Sequence, residues 1–309
     1  ILKWGSIILK VFLYLGQGSQ KEGMEAGLSS TGLGEKAFDK AQDVLGYDLL
    51  TLCRDGSKEQ LQRTLYTQPA LYVVSCILTD LLLEKGIRPE AVAGHSAGEY
   101  AALYAAGVFP FDIGLKVVGK RAKIMDDAGE KAGGAMAAII RLAPKEVEKL
   151  VLALSPDGII GVAGYNTDGQ TVVSGEKKLV ERAVREAKDR GARMAKVLPV
   201  SGAFHCDLMK EASDALAEVL EPEDFQSPQV TYVSNLSGQA MSDPSEIKRA
   251  LAQLLVQPVR WTQCLETLAS MQPEKYYEVG SGSVLAGMMK KFDPSADVAG
   301  VDGPDKIMV

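Results

Sequence analysis

The chain has little that would let it bind a nucleic acid. Of its 309 residues, 40 are Asp or Glu and 34 are Lys or Arg, which gives a formal net charge of −6. Aromatic residues make up only 6%. Because binding a phosphate backbone needs a basic face, this balance argues against nucleic acid as the main partner.

Cysteine is also scarce, and its pattern argues against a metal centre. The four cysteines, Cys53, Cys76, Cys206 and Cys264, form no C-x-x-C pair and are not spaced with the two histidines like zinc ligands. The sequence therefore predicts no metal site and a reducing, cytoplasmic location.

Long hydrophobic runs are missing too. No segment reaches the roughly 18 uncharged apolar residues of a membrane span, so we expect no membrane partner. The apolar N-terminal stretch resembles the core of a secretion signal, but Lys10 interrupts it and no small-residue cleavage site follows. We expect a buried first strand over residues 10–15 instead.

What the chain does contain is the alternation of apolar runs and helical patterns typical of α/β proteins. Residues 91–94, AVAG, suit a buried parallel strand, and a helix is predicted over residues 97–106. The other elements predicted for this part are helices from residue 32, over 69–85 with Pro69 in the first turn, and over 111–128, and a late strand over 276–280.

Between residues 129 and 200 the order of elements changes to strand, helix, strand, strand, helix, strand. This is the order of a ferredoxin-like unit. Its second helix is predicted to end at Gly191 and its last strand to cover residues 193–200. We therefore predict an α/β-hydrolase-like large domain with a parallel central sheet (residues 1–128 and 201–309) and an inserted ferredoxin-like subdomain (residues 129–200).

The sharpest chemical signal is a serine between glycines. Residues 94–98 read G-H-S-A-G, which is G-x-S-x-G between a predicted strand and a predicted helix. A nucleophile elbow needs that context, because the glycines relieve crowding around a strained turn that projects the Ser96 hydroxyl above the sheet. The alternative is a coincidental turn of glycine and serine.

A serine needs a base to be nucleophilic at neutral pH, and the chain offers two histidines. His95 adjoins Ser96 in the elbow, where neighbouring side chains diverge. His205 lies in a loop between a predicted strand and a predicted helix, where functional groups are often presented. By elimination His205 is the candidate base, and a structural loop histidine is the alternative.

Arg121 lies on the apolar stripe of the helix predicted over residues 111–128. It is four residues after Val117 and three before Ile124, whereas the lysines of that helix fall on another face. An arginine that points inward needs an anion to offset its desolvation. A substrate carboxylate suits its planar fork, and an internal salt bridge to Asp or Glu is an equally good explanation.

The loop G-Q-G-S-Q, residues 16–20, follows the first predicted strand. Such a loop can offer backbone N–H groups to an oxyanion. A dinucleotide fingerprint is the weaker interpretation, because Lys21 occupies the third glycine position.

Taken together, the motifs resemble those of malonyl-CoA:acyl carrier protein transacylases and of the acyltransferase domains of fatty acid and polyketide synthases. The resemblance covers nearly the whole chain. The matching motifs, in the family's order, are GQGSQ, TQPAL (67–71), GHSAGEY (94–100), Arg121, GAFH (202–205), Ser234-Asn235, PVRW (258–261) and EVGSGSVL (278–285).

The resemblance implies a role for each site residue. Ser96 would carry the acyl group, His205 would be the base, and the N–H groups of Gln17 and Ala97 would form the oxyanion hole. Leu254, where the family usually has Gln, would orient the histidine through its carbonyl. The substrate-binding residues would be Arg121 for the malonyl carboxylate, Gln68 and Asn166 in the pocket, and Phe204 against branched acyl groups.

The implied reaction is malonyl transfer from malonyl-CoA to the phosphopantetheine thiol of acyl carrier protein, through a malonyl-serine and without metal or redox cofactor. We expect a monomer. The alternatives are a polyketide acyltransferase with another extender unit, a serine esterase or thioesterase using Asp207 as its acid, and an inactive structural module. Carrier proteins of this kind are typically acidic, so two basic clusters are candidate docking sites: residues 177–188 and Lys290-Lys291.

Overall fold

The computed structural model describes residues 9–25 and 27–307. The first eight residues, which begin the apolar stretch considered as a secretion signal, lie outside the described residues. The strands are β1 (Lys10–Tyr14), β2 (Ala91–Gly94), β3 (Gly134–Ile140), β4 (Ile160–Thr167), β5 (Gln170–Glu176), β6 (Met194–Val197), β7 (Thr231–Tyr232), β8 (Lys275–Val279) and β9 (Val298–Val301).

Helices surround these strands. They are α1 (Gly32–Leu45), α2 (Leu49–Asp55), α3 (Lys58–Gln62), α4 (Thr64–Glu84), α5 (Gly98–Ala105), α6 (Phe111–Ala132), α7 (Pro144–Leu154), α8 (Lys177–Asp189), α9 (Lys210–Leu220), α10 (Pro244–Gln253), α11 (Trp261–Ser270) and α12 (Val284–Phe292). Short 3-10 turns cover Leu28–Ser30, Ser155–Asp157, Asp207–Met209 and Pro304–Lys306.

The central sheet is parallel and has the order β7-β2-β1-β8-β9. Its middle strand β1 is buried on both faces, with Phe12 and Tyr14 in one apolar cluster and Val11 and Leu13 in another. Side chains alternate between the faces of a strand, so helices on both sides explain the nearly continuous apolar run. The carboxyl ends of β1 and β2 therefore meet at one edge of the sheet, where ligands bind in folds of this kind.

The second sheet is antiparallel and has the order β4-β5-β3-β6. Together with α7 and α8 it forms the predicted ferredoxin-like unit, so the predicted fold class is confirmed. Ala137 and Ile139 of β3 face these helices, whereas Met136 faces the large domain's core. The division of the chain at residues 128 and 200 stays a prediction.

Four predicted boundaries were wrong. Helix α4 begins at Thr64, so Pro69 lies inside it rather than in its first turn. Helix α6 continues to Ala132, where Gly133 ends it with a φ of 58°. Strand β6 stops at Val197, and Pro199, which has no N–H to donate, follows soon after. Helix α8 ends at Asp189, two residues before Gly191.

Helix α4 shows why apolar composition alone does not identify a membrane span. By length and hydropathy this helix is able to cross a membrane, but 78% of its most apolar window is buried inside the fold. A helix that is apolar on all sides is expected at the centre of a large core. Its composition is therefore explained by packing.

Candidate active site

Ser96 lies in the turn that joins β2 to α5, at the carboxyl edge of the central sheet. Its φ of 51° is in the left-handed region, which residues other than glycine rarely adopt. The glycines on either side permit the turn: a Cβ on Gly94 would lie 2.0 Å from the backbone of Gly98, and one on Gly98 would lie 2.3 Å from the Tyr14 carbonyl oxygen. The sequence therefore forms the strained elbow that its pattern predicts.

The serine is paired with the second histidine of the chain. Nε2 of His205 lies 2.9 Å from Oγ of Ser96. Nδ1 of His205 lies 2.7 Å from the carbonyl oxygen of Leu254. Because a carbonyl only accepts, Nδ1 carries the proton and Nε2 of the neutral ring is free to accept the serine proton. This geometry suits a general base.

Burial keeps the His205 ring neutral. The side chain is 6% exposed. Desolvation lowers the pKa of His205 to about 4, and the hydrogen bond to the Leu254 carbonyl opposes that shift only in part. The His205 ring is therefore neutral, and able to accept a proton, throughout the physiological pH range.

His95 has different partners. Its Nε2 lies 2.9 Å from Oδ1 of Asn166, and its ring meets the Trp261 ring edge-on with 5.4 Å between centroids. The side chains of His95 and Ser96 thus have different partners, as we expect for neighbours in an elbow. His95 and Asn166 both line the pocket at Ser96.

Arg121 points inward, as the periodicity of its helix predicts, and it is 1% exposed. Its Nη1 donates to Oε1 of Gln68 at 2.5 Å, and its Nη2 lies 3.5 Å from Oγ of Ser96. The guanidinium also lies over the Tyr100 ring, 5.4 Å from its centroid. Within residues 9–25 and 27–307 it forms no ion pair, and its Nε has no hydrogen-bond acceptor.

Arg121 is therefore a buried cation next to Ser96, and its Nε has no acceptor among the described residues. Desolvation lowers the pKa of Arg121, and the nearby Tyr100 and Glu99 oppose that shift only in part. The internal salt bridge offered by the sequence as an alternative does not form among the described residues. An anionic group of a substrate remains the candidate partner for this arginine.

Two backbone N–H groups near Ser96, one in the loop of residues 16–20 and one in the elbow, are free to donate. Those of Gln17 and Ala97 have no acceptor in the part of the chain that the structure describes. The Gln17 side chain donates to Oγ1 of Thr64 at 3.1 Å, and Thr64 in turn pairs with Oγ of Ser201 at 3.0 Å. These bonds attach the loop of residues 16–20 to α4 and to the segment before His205.

The pocket above Ser96 has a volume of about 200 Å³ and lies between the two sheets. Phe204 and Gln68 line it, 5% and 2% exposed respectively. Most of the remaining wall is apolar and comes from the antiparallel sheet, from α6 and α12, and from two loop residues. These lining residues are Met125, Met136, Ala163, Val172, Leu198, Val259, Val284, Leu285 and Met288.

Sequence reasoning gave no role to two buried polar residues that touch the elbow. Asn235 contacts the backbone of Ser96 although 139 positions separate them. Glu99, 1% exposed in the first turn of α5, contacts Asn235. Ser234-Asn235 and Glu99 both lie in motifs that carry the family resemblance, which is the only signal that marks them.

The depressed pKa of His205 predicts an unusual pH dependence. An exposed histidine, with a pKa near 6.5, would lose its function as a base below about pH 6.5. Here the neutral ring persists until the pH approaches 4, so the rate of acyl loading should stay nearly constant between pH 7.5 and 5.5. The measurement is kcat/KM for acyl loading against pH.

Glu99 needs a control in this experiment, since burial raises the pKa of its carboxyl to about 7. The profile is therefore repeated with Glu99→Gln, which removes that titration. A fall by half near pH 6.5 in both proteins would contradict a buried, neutral His205.

Comparison with known proteins agrees with this geometry. A model of the acyl transferase domain matches residues 11–301. The chain is 38% identical over 295 residues to the malonyl CoA-acyl carrier protein transacylase of Escherichia coli K12. The matched region covers 95% of this chain and 96% of that protein.

Solved structures give the same result. The malonyl CoA-acyl carrier protein transacylase from Coxiella burnetii superposes with a TM-score of 0.93 at 35% identity, over 97% of this chain and 96% of that one. A malonyl-transacylase in complex with its type II polyketide acyl-carrier protein superposes with a TM-score of 0.92 at 38% identity, over 97% of both chains. The chain belongs to the acyl transferase family.

Proposed function

We propose that this chain transfers a malonyl group from malonyl-CoA to the phosphopantetheine thiol of an acyl carrier protein, in a ping-pong cycle through malonyl-Ser96. The observation that carries the proposal is the buried Arg121 without an ion-pair partner among the described residues, 3.5 Å from the nucleophile. The relatives named as malonyl transacylases support the same acyl group.

The first half-reaction loads the serine. Oγ of Ser96 attacks the thioester carbonyl while Nε2 of His205 takes its proton, and the Leu254 carbonyl holds the ring in the required tautomer. The free N–H groups of Gln17 and Ala97 bind the oxyanion of the tetrahedral intermediate. The intermediate collapses, the C–S bond breaks, and His205 returns the proton to the departing coenzyme A thiolate.

The second half-reaction uses the same groups in the same order. The thiol of the carrier's phosphopantetheine gives its proton to His205 and attacks malonyl-Ser96. The ester C–O bond breaks, His205 protonates the serine oxygen, and malonyl carrier protein leaves. Atoms and charges balance without a metal or redox cofactor, so we propose that none takes part.

Arg121 and Gln68 select the acyl group in this scheme. Arg121 pairs with the malonyl carboxylate, and Gln68 holds the guanidinium through the bond from Nη1. Phe204 narrows the pocket against a methyl branch, which favours malonyl over other extender units. Asn166 contributes to the pocket by fixing His95.

Among the described residues, no carboxylate bonds Nδ1 of His205 to complete a hydrolase triad. A Ser-His-Asp hydrolase needs a carboxylate on Nδ1, whereas Nδ1 of His205 meets the Leu254 carbonyl. Asp207, the candidate acid, is exposed. We retain hydrolysis as an outcome of the experiments and not as a second proposal.

The proposal predicts a covalent adduct. Intact-protein mass spectrometry after mixing with malonyl-CoA should show one malonyl group on the wild type and none on Ser96→Ala, because the attacking oxygen is gone. A folded Ser96→Ala protein with an undiminished adduct would exclude Ser96 as the nucleophile. Free malonate released without any adduct would favour a hydrolase.

Replacing Arg121 should change the choice of acyl group. A charged, bidentate hydrogen bond is worth on the order of 1.5 to 3 kcal/mol, or roughly 10- to 100-fold in rate. Arg121→Ala should therefore lower malonyl transfer by about that factor while sparing or improving acetyl transfer. Single-turnover loading with malonyl-CoA, methylmalonyl-CoA and acetyl-CoA measures the ratios.

Lys120→Ala serves as the matched control, since Lys120 is exposed on the same helix. If folded Arg121→Ala lost malonyl and acetyl transfer equally, Arg121 would have a structural role only. A wild type that loads methylmalonyl as fast as malonyl would contradict the role of Phe204.

The carrier should approach on the side of α12. Helix α8 packs its Leu179 and Ala183 against one face of the antiparallel sheet, while Met136 and Val172 of the other face line the pocket. The antiparallel sheet therefore lies between the cations of α8 and the mouth of the pocket, with packed layers roughly 10 Å apart. Lys291 instead lies in the last turn of α12, the helix whose Val284 and Met288 line the pocket.

Charge reversal separates the two basic clusters. Lys291→Glu should raise the KM for carrier protein and leave malonyl-CoA loading unchanged, because only the acidic carrier meets this charge. Arg185→Glu on α8 is the matched control: both side chains are exposed and neither has an ion pair among the described residues. An effect confined to Arg185→Glu would move the docking surface to α8.

Two further expectations belong to this proposal. All four cysteines are free and buried, which supports a cytoplasmic location, to be tested by cell fractionation. We also propose a monomer, which light scattering of the purified protein tests directly. A dimer in solution would contradict the second expectation and leave the reaction scheme intact.

A further inference from the structure

The hydrogen bonding between β2 and its neighbour β7 at the edge of the central sheet continues past the end of β7 through a side chain. Strand β7 runs beside β2, and the final backbone bond between them is from the Val233 N–H to the Val92 carbonyl at 3.0 Å. Past this point, the fully buried side-chain amide of Asn235 takes over. Its Nδ2 donates to the Gly94 carbonyl at 2.7 Å, and its Oδ1 accepts from the Ser96 N–H at 2.7 Å.

One amide thus spans the elbow on both sides. It satisfies the last carbonyl of β2 and the N–H of the strained Ser96, groups that a longer neighbouring strand would otherwise satisfy. A serine held at a φ of 51° persists only where its surroundings fix it in place. Asn235 supplies two of the bonds that fix it.

Asn235 is itself held by the helix that follows the nucleophile. Its backbone N–H donates to Oε1 of Glu99 at 2.7 Å. The Tyr232 hydroxyl donates to the same oxygen at 2.6 Å, and the Asn235 carbonyl accepts from the Arg260 N–H at 3.0 Å. Because Glu99 lies on α5, the chain closes a ring of hydrogen bonds from Ser96 through Asn235 and Glu99 back to the elbow.

We infer that Asn235 is a positioning residue for acyl transfer: it aims the Ser96 hydroxyl at His205, and Glu99 orients Asn235. The inference rests on the proposed function, in which Ser96 is acylated. It also assigns the oxyanion donors. The Ser96 N–H is occupied by Asn235, whereas the N–H groups of Gln17 and Ala97 have no acceptor among the described residues.

A polar group that only fills the interior would behave differently on mutation. Its loss would lower the unfolding midpoint, but Ser96 in the remaining folded protein would react at the normal rate. A positioning residue changes the rate constant for acylation at saturating malonyl-CoA, with little change in the half-saturating concentration. Displacing a reacting atom by an ångström can cost about 100-fold.

The experiment measures single-turnover acylation by rapid quench and mass spectrometry. Asn235→Ala removes the two side-chain bonds to the elbow, along with a long contact to Sγ of Cys264, and should slow acylation about 10- to 100-fold at an unchanged half-saturating concentration. Glu99→Ala should slow it as well. Glu99→Gln, which keeps an oxygen for the two donors, should recover most of the rate lost in Glu99→Ala.

If Asn235→Ala does not fold, Tyr232→Phe gives the answer, because it removes one donor to Glu99 and leaves the elbow and Asn235 chemically intact. Its acylation rate should fall by a smaller factor. A wild-type acylation rate in folded Asn235→Ala, or in Tyr232→Phe where the former is unfolded, would overturn the inference. So would equal loss in Glu99→Gln and Glu99→Ala, since the charge of Glu99 would then matter instead of its bonds.

A second probe separates this inference from the proposed function. A fluorophosphonate reacts with any serine that is activated by a base, whatever its natural acyl group. If the wild type formed no malonyl adduct, the proposed function would fail, but Asn235→Ala should still slow fluorophosphonate labelling. If the wild type formed the adduct and neither reaction slowed in Asn235→Ala, the positioning role alone would fail.

Discussion

The chemistry of this site depends on one hydrogen bond to a neutral acceptor, from Nδ1 of His205 to the carbonyl of Leu254 at 2.7 Å. It fixes the tautomer of the ring and leaves Nε2 facing the serine hydroxyl. A carboxylate in this place would stabilise an imidazolium more strongly than the neutral carbonyl does, so burial is able to keep the pKa of the ring low. A thioester has a good leaving group, so exchange between a serine and a thiol is well served by a neutral base of this kind.

The second constraint is the burial of polar side chains near Ser96, because buried polar groups need hydrogen-bond partners. Three polar residues near Ser96 are nearly or fully buried: Arg121, Glu99 and Asn235. Asn235 and Glu99 satisfy each other and the elbow, while Arg121 keeps donors unused among the described residues. The fold thus surrounds Ser96 with hydrogen-bonded support from Asn235 and with a buried cation that has no ion pair among the described residues. The unused donors of Arg121 near Ser96 indicate an acyl group with a free carboxylate.

Local patterns were sufficient to predict the parts of the site that depend on neighbours in sequence. The elbow at Ser96 follows from its glycines, and the inward direction of Arg121 follows from the helical period. His205 could be found because the chain has only one other histidine. The order of strands and helices was also enough to indicate the ferredoxin-like unit, although its boundaries shifted by a few residues.

Contacts between distant segments could not be predicted in this way. Whether Arg121 meets an internal acid or a substrate depends on residues brought together by the fold, and the periodicity of one helix is silent about them. The Leu254 carbonyl was indicated only by family resemblance, since every residue has a carbonyl and no side-chain type marks it. Asn235 lies in an ordinary polar loop, and its contact with Ser96 spans 139 positions.

The central claim is that the malonyl-serine awaits a thiol rather than water, and its lifetime tests this most directly. Malonyl-enzyme freed from excess malonyl-CoA should persist in buffer, and it should discharge to malonyl-pantetheine as soon as pantetheine is added. Loss of the adduct to free malonate at one rate, with or without the thiol, would contradict the account and identify a hydrolase.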